Sequence, residues 1–402
     1  MLMLAGLFTA PWIVVAFVYL GTPEAPAVLP RPVGSAVGPS RPAGKGPWGN
    51  LEITPIVISP PLEYVPSDWG RNAPAEWHFP GSAPDRVTGF LRSVGLTPTE
   101  VEQLLAQARS DSRISGTVVA PPASLVRSLS PEVRSRLYVQ LGRSGLNFDQ
   151  ANSFQFSGAS AGAWLDGSLM SPATRQLVEP LVYRHGNYVH FADIETIRSQ
   201  IPSPEERQFL AKTLLRSATV LVRLSVDSME EVGDLVEYWG IGGRRTDIRP
   251  LLESMAEVTG EAGIDVVHLL PSFARNHLYR YPKTTTADLT RPQLANCLWS
   301  SLNFFNLTPN DRFLDVAYAL NALRTQYYVV EHGYQLGDVV ALVDDQGDLF
   351  HAAVHIADGL VFSKNGASPV APWVLMSIDQ LKGFYQTRDA NPRVIYHRPN
   401  AY

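Results

Sequence analysis

The chain has 402 residues, of which 45% are hydrophobic and 18% charged, and this balance excludes a largely disordered protein. Its net charge is −5 and it has no run of basic residues, which argues against nucleic acid as a partner. A single cysteine excludes an internal disulfide framework and a cysteine-rich zinc site. The length allows two or three domains of about 100–200 residues each.

The first 20 residues predict a membrane or export signal. Residues 2–20 carry no charge, and a helix of about 20 apolar residues can cross a bilayer. We therefore expect residues 1–20 to be a signal anchor or a cleaved signal peptide, with residues 2–20 contacting the membrane. The body of the protein would then be membrane-anchored or exported, on the periplasmic side of the cell envelope. Basic residues at 31, 41 and 45 favour the opposite orientation, so the topology stays open.

Residues 21–50 are rich in proline and glycine and predict an extended linker. Residues 51–285 follow as a mixed, mostly helical domain whose role the sequence does not indicate. It opens with an alternating strand at 51–58, which Pro55 would confine to a sheet edge. Thr97, Pro98 and Glu100 form the capping box of a helix. Further helices are expected from Ser130 and Ser203 and over 229–239 and 247–258, with strands at 183–191 and 219–226.

Two glycine-rich segments of this domain have competing interpretations. Gly158-Ala159-Ser160-Ala161-Gly162 matches the nucleophile elbow of serine hydrolases, but no buried strand precedes it and a glycine interrupts the helix that should follow. We therefore expect a loop, with a serine hydrolase using Ser160 as a remote alternative. Gly240–Arg245 precedes a helix but lacks the spacing of a dinucleotide or phosphate loop, so a loop is again expected.

Residues 286–402 change from helices to strands. A helix is expected from Cys297 because Leu298, Leu302 and Phe305 repeat at helical spacing, and a second helix precedes Gly337. Strands are then expected at 338–343, 349–357, 360–364, 373–376 and 393–397, with a helix at 377–385. This order gives an α+β unit with an antiparallel sheet.

Cys297 and His351 are the candidate reactive pair. A thiol at a helix N-terminus lies near unpaired N–H groups and the positive end of the helix dipole, which lower its pKa. A thiolate also requires an imidazole as base and a polar group that orients that imidazole. The competing interpretation is that Cys297 is a small packing residue and His351 a hydrogen-bonded strand residue.

Three segments of this region resemble the papain-like NlpC/P60 superfamily. They are Asn296-Cys297-Leu298-Trp299 at the head of the first helix, Gly337-Asp338-Val339-Val340 at a strand opening, and His351–Gly359, a strand followed by a short turn. The resemblance covers less than a third of the chain, and the usual Asp-Cys-Ser-Gly start is absent. It implies peptidase or amidase chemistry without a cofactor, commonly on peptidoglycan stem peptides.

The resemblance also implies a role for each residue. Cys297 would attack an amide carbonyl, His351 would carry the proton, and the third residue would lie on the strand after the turn. Asn365 is favoured there because its amide oxygen can accept the imidazole N–H, while Ser363 remains possible. His355 lies four residues after His351, on the same strand face, and would be auxiliary or a filler.

The sequence thus predicts an α+β protein whose C-terminal third is an NlpC/P60-like cysteine hydrolase of a peptide or amide substrate. No cofactor or metal is expected. The alternative is a catalytically inactive, membrane-anchored binding or scaffold protein of the same fold.

Overall fold

The computed structural model of this protein describes residues 35–36, 38–65, 75–158, 160–258, 263–282, 295–366, 370–386 and 391–400. In these residues the strands are β1 (Ser35–Ala36), β2 (Arg41–Pro42), β3 (Asn50–Ile58), β4 (Trp77–Phe79), β5 (Ala108–Asp111), β6 (Gly116–Val119), β7 (Phe154–Ser157), β8 (Tyr183–His185), β9 (Tyr188–Phe191), β10 (Ser217–Ser225), β11 (Gly263–Asp265), β12 (Tyr327–Val330), β13 (Val339–Val343), β14 (Leu349–Ala357), β15 (Leu360–Lys364), β16 (Trp373–Ser377) and β17 (Arg393–Pro399).

The α-helices of the same residues are α1 (Pro84–Ser93), α2 (Pro98–Leu105), α3 (Ala123–Ser128), α4 (Pro131–Gly142), α5 (Phe148–Ala151), α6 (Ala161–Leu165), α7 (Pro172–Val178), α8 (Ile194–Ile197), α9 (Pro204–Leu214), α10 (Met229–Trp239), α11 (Arg245–Ala256), α12 (Ser272–His277), α13 (Cys297–Leu302), α14 (Val316–Gln326) and α15 (Ile378–Phe384). Short 3-10 turns lie at Leu62–Tyr64, Glu179–Leu181, Arg198–Gln200, Val266–His268 and Asp311–Leu314.

The first sheet is built on β3 and β10, which are antiparallel partners from Asn50↔Ser225 to Ile58↔Ser217. The order is β1-β3-β10-β11, and β2 also pairs with β3. The prediction that β3 is an edge strand is therefore wrong. Pro55 is tolerated because β1 pairs with residues 56–57 and β2 with residues 52–53, so its missing N–H falls between these two short partners.

Residues 77–214 fold around a hydrophobic core of their own, which runs from Trp77 to Leu214. Two three-stranded sheets, β4-β6-β5 and β7-β9-β8, lie among its helices. The capping box of α2 is confirmed, since Glu100 N–H donates to Thr97 Oγ1 (3.3 Å) and Thr97 N–H donates to the Glu100 carboxylate (2.7 Å). The range 51–285 is mixed and mostly helical, as expected, and it also contributes strands to three sheets.

The C-terminal sheet is antiparallel and has the order β12-β17-β13-β14-β15-β16. Its core is continuous with that of the first sheet, because one cluster of buried residues joins β3 and β10 to β13, β14 and β15. Thr219 Oγ1 of β10 donates to Leu375 O (2.8 Å) and accepts from Leu375 N–H (3.0 Å). Residues 286–402 therefore share their core with earlier strands, and position 285 does not separate two cores.

The fold prediction included an N-terminal membrane segment, and this part of it is corrected. Among the described residues, no helix is both long and apolar enough to cross a bilayer. Residues 1–20, on which that prediction falls, lie outside the described residues.

Part of the predicted linker is packed onto the C-terminal sheet. Gly44 N–H donates to the Asp358 carboxylate (2.7 Å) at the turn between β14 and β15. Trp48 Nε1 donates to Gly44 O (2.9 Å), and Trp239 Nε1 donates to Trp48 O (3.1 Å). Residues 43–48 thus form a strap, and the extended linker predicted for 21–50 is wrong for this portion.

Candidate active site around Cys297

Cys297 begins α13, as the sequence predicts. The Asn296 side chain caps the helix by accepting the Trp299 N–H (2.9 Å), because Asn oxygens satisfy the unpaired amides of a first turn. The helix ends at Leu302 rather than reaching Phe305. It therefore has fewer than two turns, and its dipole is correspondingly small.

The environment of the thiol differs from the expected one. Cys297 is partly buried, and this burial raises the pKa of its thiol. Backbone groups of Ala352, Leu298 and Cys297 itself act in the opposite direction, as does the charge of Lys364. The net effect is upward, because removal from water disfavours the thiolate more than these groups favour it.

Helix α13 packs on the face of the sheet that carries Lys364. In the register of β15 and β16, Lys364 is paired with Trp373, so both side chains lie on one face. Trp373 Nε1 donates to Ser300 Oγ of α13 (2.8 Å). Phe304, just after α13, packs against Phe362 with ring centroids 5.8 Å apart, and Phe362 shares the face of Lys364 by alternation.

His351, Ser363 and Asn365 lie together on the opposite face. His351 Nε2 is 3.0 Å from Ser363 Oγ, and Ser363 Oγ donates to Asn365 Oδ1 (2.8 Å). Since the Ser363 hydroxyl proton is directed to Asn365, its oxygen accepts from His351 Nε2–H. Ser363 is therefore the direct hydrogen-bond partner of the imidazole. Asn365, which the sequence favoured as the third residue, is linked to the imidazole only through Ser363.

The predicted triad is therefore not assembled. Cys297 and His351 are held on opposite faces of β14, and Nδ1 of His351 is buried without a hydrogen-bond partner in the described structure. The imidazole stacks on Tyr385 with centroids 4.4 Å apart. Burial lowers the pKa of His351 to about 3, so it remains neutral and oriented but does not contact the thiol.

His355 shares the face of His351 and is similarly enclosed. Tyr334 and Tyr396 pack edge-on against its ring at centroid distances of 6.1 and 5.9 Å. Both of its ring nitrogens are buried without hydrogen-bond partners in the described residues. Burial lowers its pKa to about 4, although the nearby Asp338 carboxylate opposes that shift. By alternation along β14, His355 faces the same side as His351 and away from the face on which α13 packs.

Lys364 is a buried titratable group on the Cys297 side of the sheet that the sequence analysis does not single out. Its side chain is only 1% exposed, and Nζ donates to Ala371 O (3.0 Å) and lies 5.0 Å from the centre of the Trp373 ring. Burial lowers its pKa to about 7, and the Cys297 charge partly opposes this shift. The signal in the sequence is a lysine that ends the mostly apolar strand Leu-Val-Phe-Ser-Lys, and a buried lysine is rare.

The Gly-Asp strand opening has a structural explanation. Gly337 has a φ of 95°, which favours glycine. The fully buried Asp338 carboxylate accepts two hydrogen bonds from Arg398 (2.8 and 2.7 Å) and one from the Gln335 N–H (2.8 Å). The motif therefore links the start of β13 to the end of β17 and takes no part in the chemistry at Cys297.

The loop expected at the first glycine-rich segment is only partly correct, because Ala161 and Gly162 begin α6 shortly after β7, whereas residues 240–244 form a turn before α11. Ser160 is the N-cap of α6, and its Oγ accepts the Ala163 N–H (3.4 Å). Arg244, in the segment before α11, donates to backbone carbonyls, including Leu269 O (2.7 Å). Within the described part of the chain, no group of three His, Cys, Asp or Glu side chains is placed to hold a metal ion.

Comparison with protein-family models, with curated proteins and with solved structures finds no match to this chain.

Proposed function

We propose that the C-terminal region hydrolyses an amide or ester bond, with the Cys297 thiol as nucleophile and the Lys364 amine as its base. The observation that carries this proposal is the placement of both groups on one face of the sheet, where their charges interact. The resemblance to the NlpC/P60 superfamily supports the reaction class. Cell-wall peptides are therefore the first substrates to test.

The chemistry follows from the state of the two groups. Above about pH 7 the buried Lys364 amine is neutral and can accept a proton. As Cys297 Sγ bonds to the carbonyl carbon, its proton moves to Lys364 Nζ. That proton then passes to the leaving amine as the C–N bond breaks, and water hydrolyses the thioester. Hydrolysis should therefore rise as the pH increases through about 7, since the base must first lose its proton.

The test is the rate of Cys297 alkylation as a function of pH in the wild type, Lys364→Met and His351→Asn. Methionine has nearly the size of lysine but carries no charge. The Cys297 thiol of Lys364→Met should therefore titrate at higher pH than that of the wild type. Each unit of upward shift slows alkylation at neutral pH about tenfold. The His351→Asn profile should match the wild type, because His351 lies on the other face. Thermal unfolding of each variant verifies that the fold is intact.

Two other outcomes would contradict the proposal. An alkylation profile that changes in His351→Asn but not in Lys364→Met would support the pair of Cys297 and His351 expected from the sequence. Slow alkylation that is indifferent to both residues would make Cys297 a packing residue. The upward pKa shift of the thiol favours this second candidate, a binding or scaffold protein of the same fold without turnover.

A further inference from the structure

In contrast to His351 and His355, the imidazole of His277 lies on the Cys297 side of the sheet. His277 ends α12, and its ring centre is 4.7 Å from that of Trp373 and 5.8 Å from that of Trp299. Trp299 belongs to α13, and Trp373 is the residue that Lys364 covers. His277 therefore lies beside the helix that carries Cys297 and the tryptophan that Lys364 covers, and it comes from the part of the chain that precedes the region resembling NlpC/P60.

The tautomer of His277 is set by one hydrogen bond. Its Nδ1 lies 2.7 Å from Phe273 O, and a carbonyl can only accept, so the ring proton is on Nδ1. Nε2 then carries a lone pair. The His277 side chain is partly exposed, whereas that of Lys364 is buried, so water reaches the imidazole more readily than the amine.

The charges around His277 maintain this neutral form. Burial lowers its pKa below the ordinary value, and the nearby Arg280 and Lys364 cations lower it further, while the carbonyl of Phe273 opposes them. A neutral imidazole with a fixed tautomer and an available Nε2 has the properties of a general base.

We propose that His277 is the second base of the site and activates the water that hydrolyses the Cys297 thioester; this role rests on the proposed function. Nε2 of His277 takes one proton from the water molecule as the water oxygen bonds to the acyl carbon. The C–S bond then breaks, and the proton returns to Sγ, which restores the thiol and releases a carboxylic acid. Lys364 serves the first half of the reaction, and His277 serves the second.

The experiment uses the full chain with p-nitrophenyl acetate as acyl donor. Mass spectrometry follows acetylation of Cys297, and release of nitrophenol follows turnover. His277→Asn retains an amide that can donate to Phe273 O but removes the base. We expect acetyl-Cys297 to form at the wild-type rate and to hydrolyse roughly a hundredfold more slowly. His268→Asn is the control, because His268 is exposed and lies nine positions earlier.

The outcomes separate the two proposals. Normal acetylation with unchanged hydrolysis in His277→Asn would overturn the role of His277 and leave the proposed function intact. A wild-type Cys297 that is never acetylated would overturn both.

A titration gives an independent measurement of the same site. The imidazole of His277, followed by NMR, should titrate at higher pH in Lys364→Met than in the wild type, because the neighbouring positive charge is gone. An equal midpoint in both proteins would show that His277 lies outside the reach of the Lys364 charge, and that result would also overturn the proposal.

Discussion

The histidines on the sheet face opposite Cys297 are held neutral by their surroundings. His351 is bounded by Tyr385, and His355 by Tyr334 and Tyr396, and at His355 burial outweighs the opposing charge of Asp338. Burial lowers their pKa values to about 3 and about 4. In the unfolded chain the same side chains titrate near the ordinary value of about 6.5. These residues therefore link the stability of the fold to pH.

We expect the free energy of unfolding to decrease as the pH falls from about 6.5 to 5. In that interval the unfolded chain binds protons at His351 and His355 that the folded protein does not, so acid favours unfolding. Each histidine accounts for roughly 2 kcal/mol between pH 7 and pH 5. Urea denaturation at several pH values measures this. His355→Phe should retain most of the packing and lose one histidine's share of the pH dependence.

Asp193 acts in the opposite direction within the same interval. Burial raises its pKa to about 6, so the folded protein binds a proton there more readily than the unfolded chain. This gain offsets most of the loss at one histidine and leaves the loss at the other. A wild-type stability that is flat between pH 7 and pH 5, or equal in slope to that of His355→Phe, would contradict the argument.

The hairpin of β14 and β15 carries His351 and Ser363 on one face and Lys364 on the other. Its turn consists of Asp358 and Gly359, with φ values of 45° and 70°, so both residues are left-handed. This geometry suits the right-handed twist of an antiparallel pair and explains the Asp-Gly sequence. The turn and a β-bulge between His355 and Ala357 together set the register that places His351 near Ser363 and directs Lys364 to the opposite face.

Gly359→Ala should destabilise the protein by roughly 1–2 kcal/mol, because a side chain disfavours the left-handed backbone. No other atom lies within 4 Å of the added Cβ, so the loss is due to the backbone alone. Gly89, in the exposed part of α1, is the matched control, since its added Cβ also meets no atom within 4 Å. There alanine should stabilise by roughly 0.5–1 kcal/mol. Equal effects in thermal unfolding would contradict this explanation.

Most elements could be predicted from the sequence, because their signals are local. The capping box at Thr97, the Asp-Gly turn and the helix at Cys297 each depend on neighbouring residues. The site could only be predicted in part. Alternation places Ser363 and Asn365 on one face and Lys364 on the other, but it does not show which face α13 covers. That choice depends on contacts such as Trp373 with Ser300, which are distant in sequence.

On the scale of the whole molecule, the sheet of the site depends on residues that precede it by more than 100 positions. Tyr238 OH of α10 donates to Ile356 O (2.6 Å), and Thr219 of β10 is bonded to Leu375. Both contacts lie in one buried cluster that includes β3. The region that carries the candidate site is therefore not an independent folding unit.

A fragment of residues 286–402 should fail to fold by itself, because β14 and β16 would lose the partners that cover them. The full chain is the comparison and should unfold in one cooperative transition. Circular dichroism and urea denaturation would measure this difference. A cooperative unfolding transition in the fragment would show that the shared core is dispensable.

The pairing of Ile58 with Ser217 has a consequence for how this chain can be rearranged. The 158 residues between them leave the sheet at the end of β3 and return to it at the paired start of β10. The intervening unit is therefore an insertion between two strands that would otherwise form a hairpin. A tight turn that joined β3 directly to β10 would allow all residue pairs between the two strands to form. Recombination could therefore remove or exchange the inserted unit while the sheet beneath the Cys297 site keeps its strand order, and the two parts of this protein could evolve at different rates.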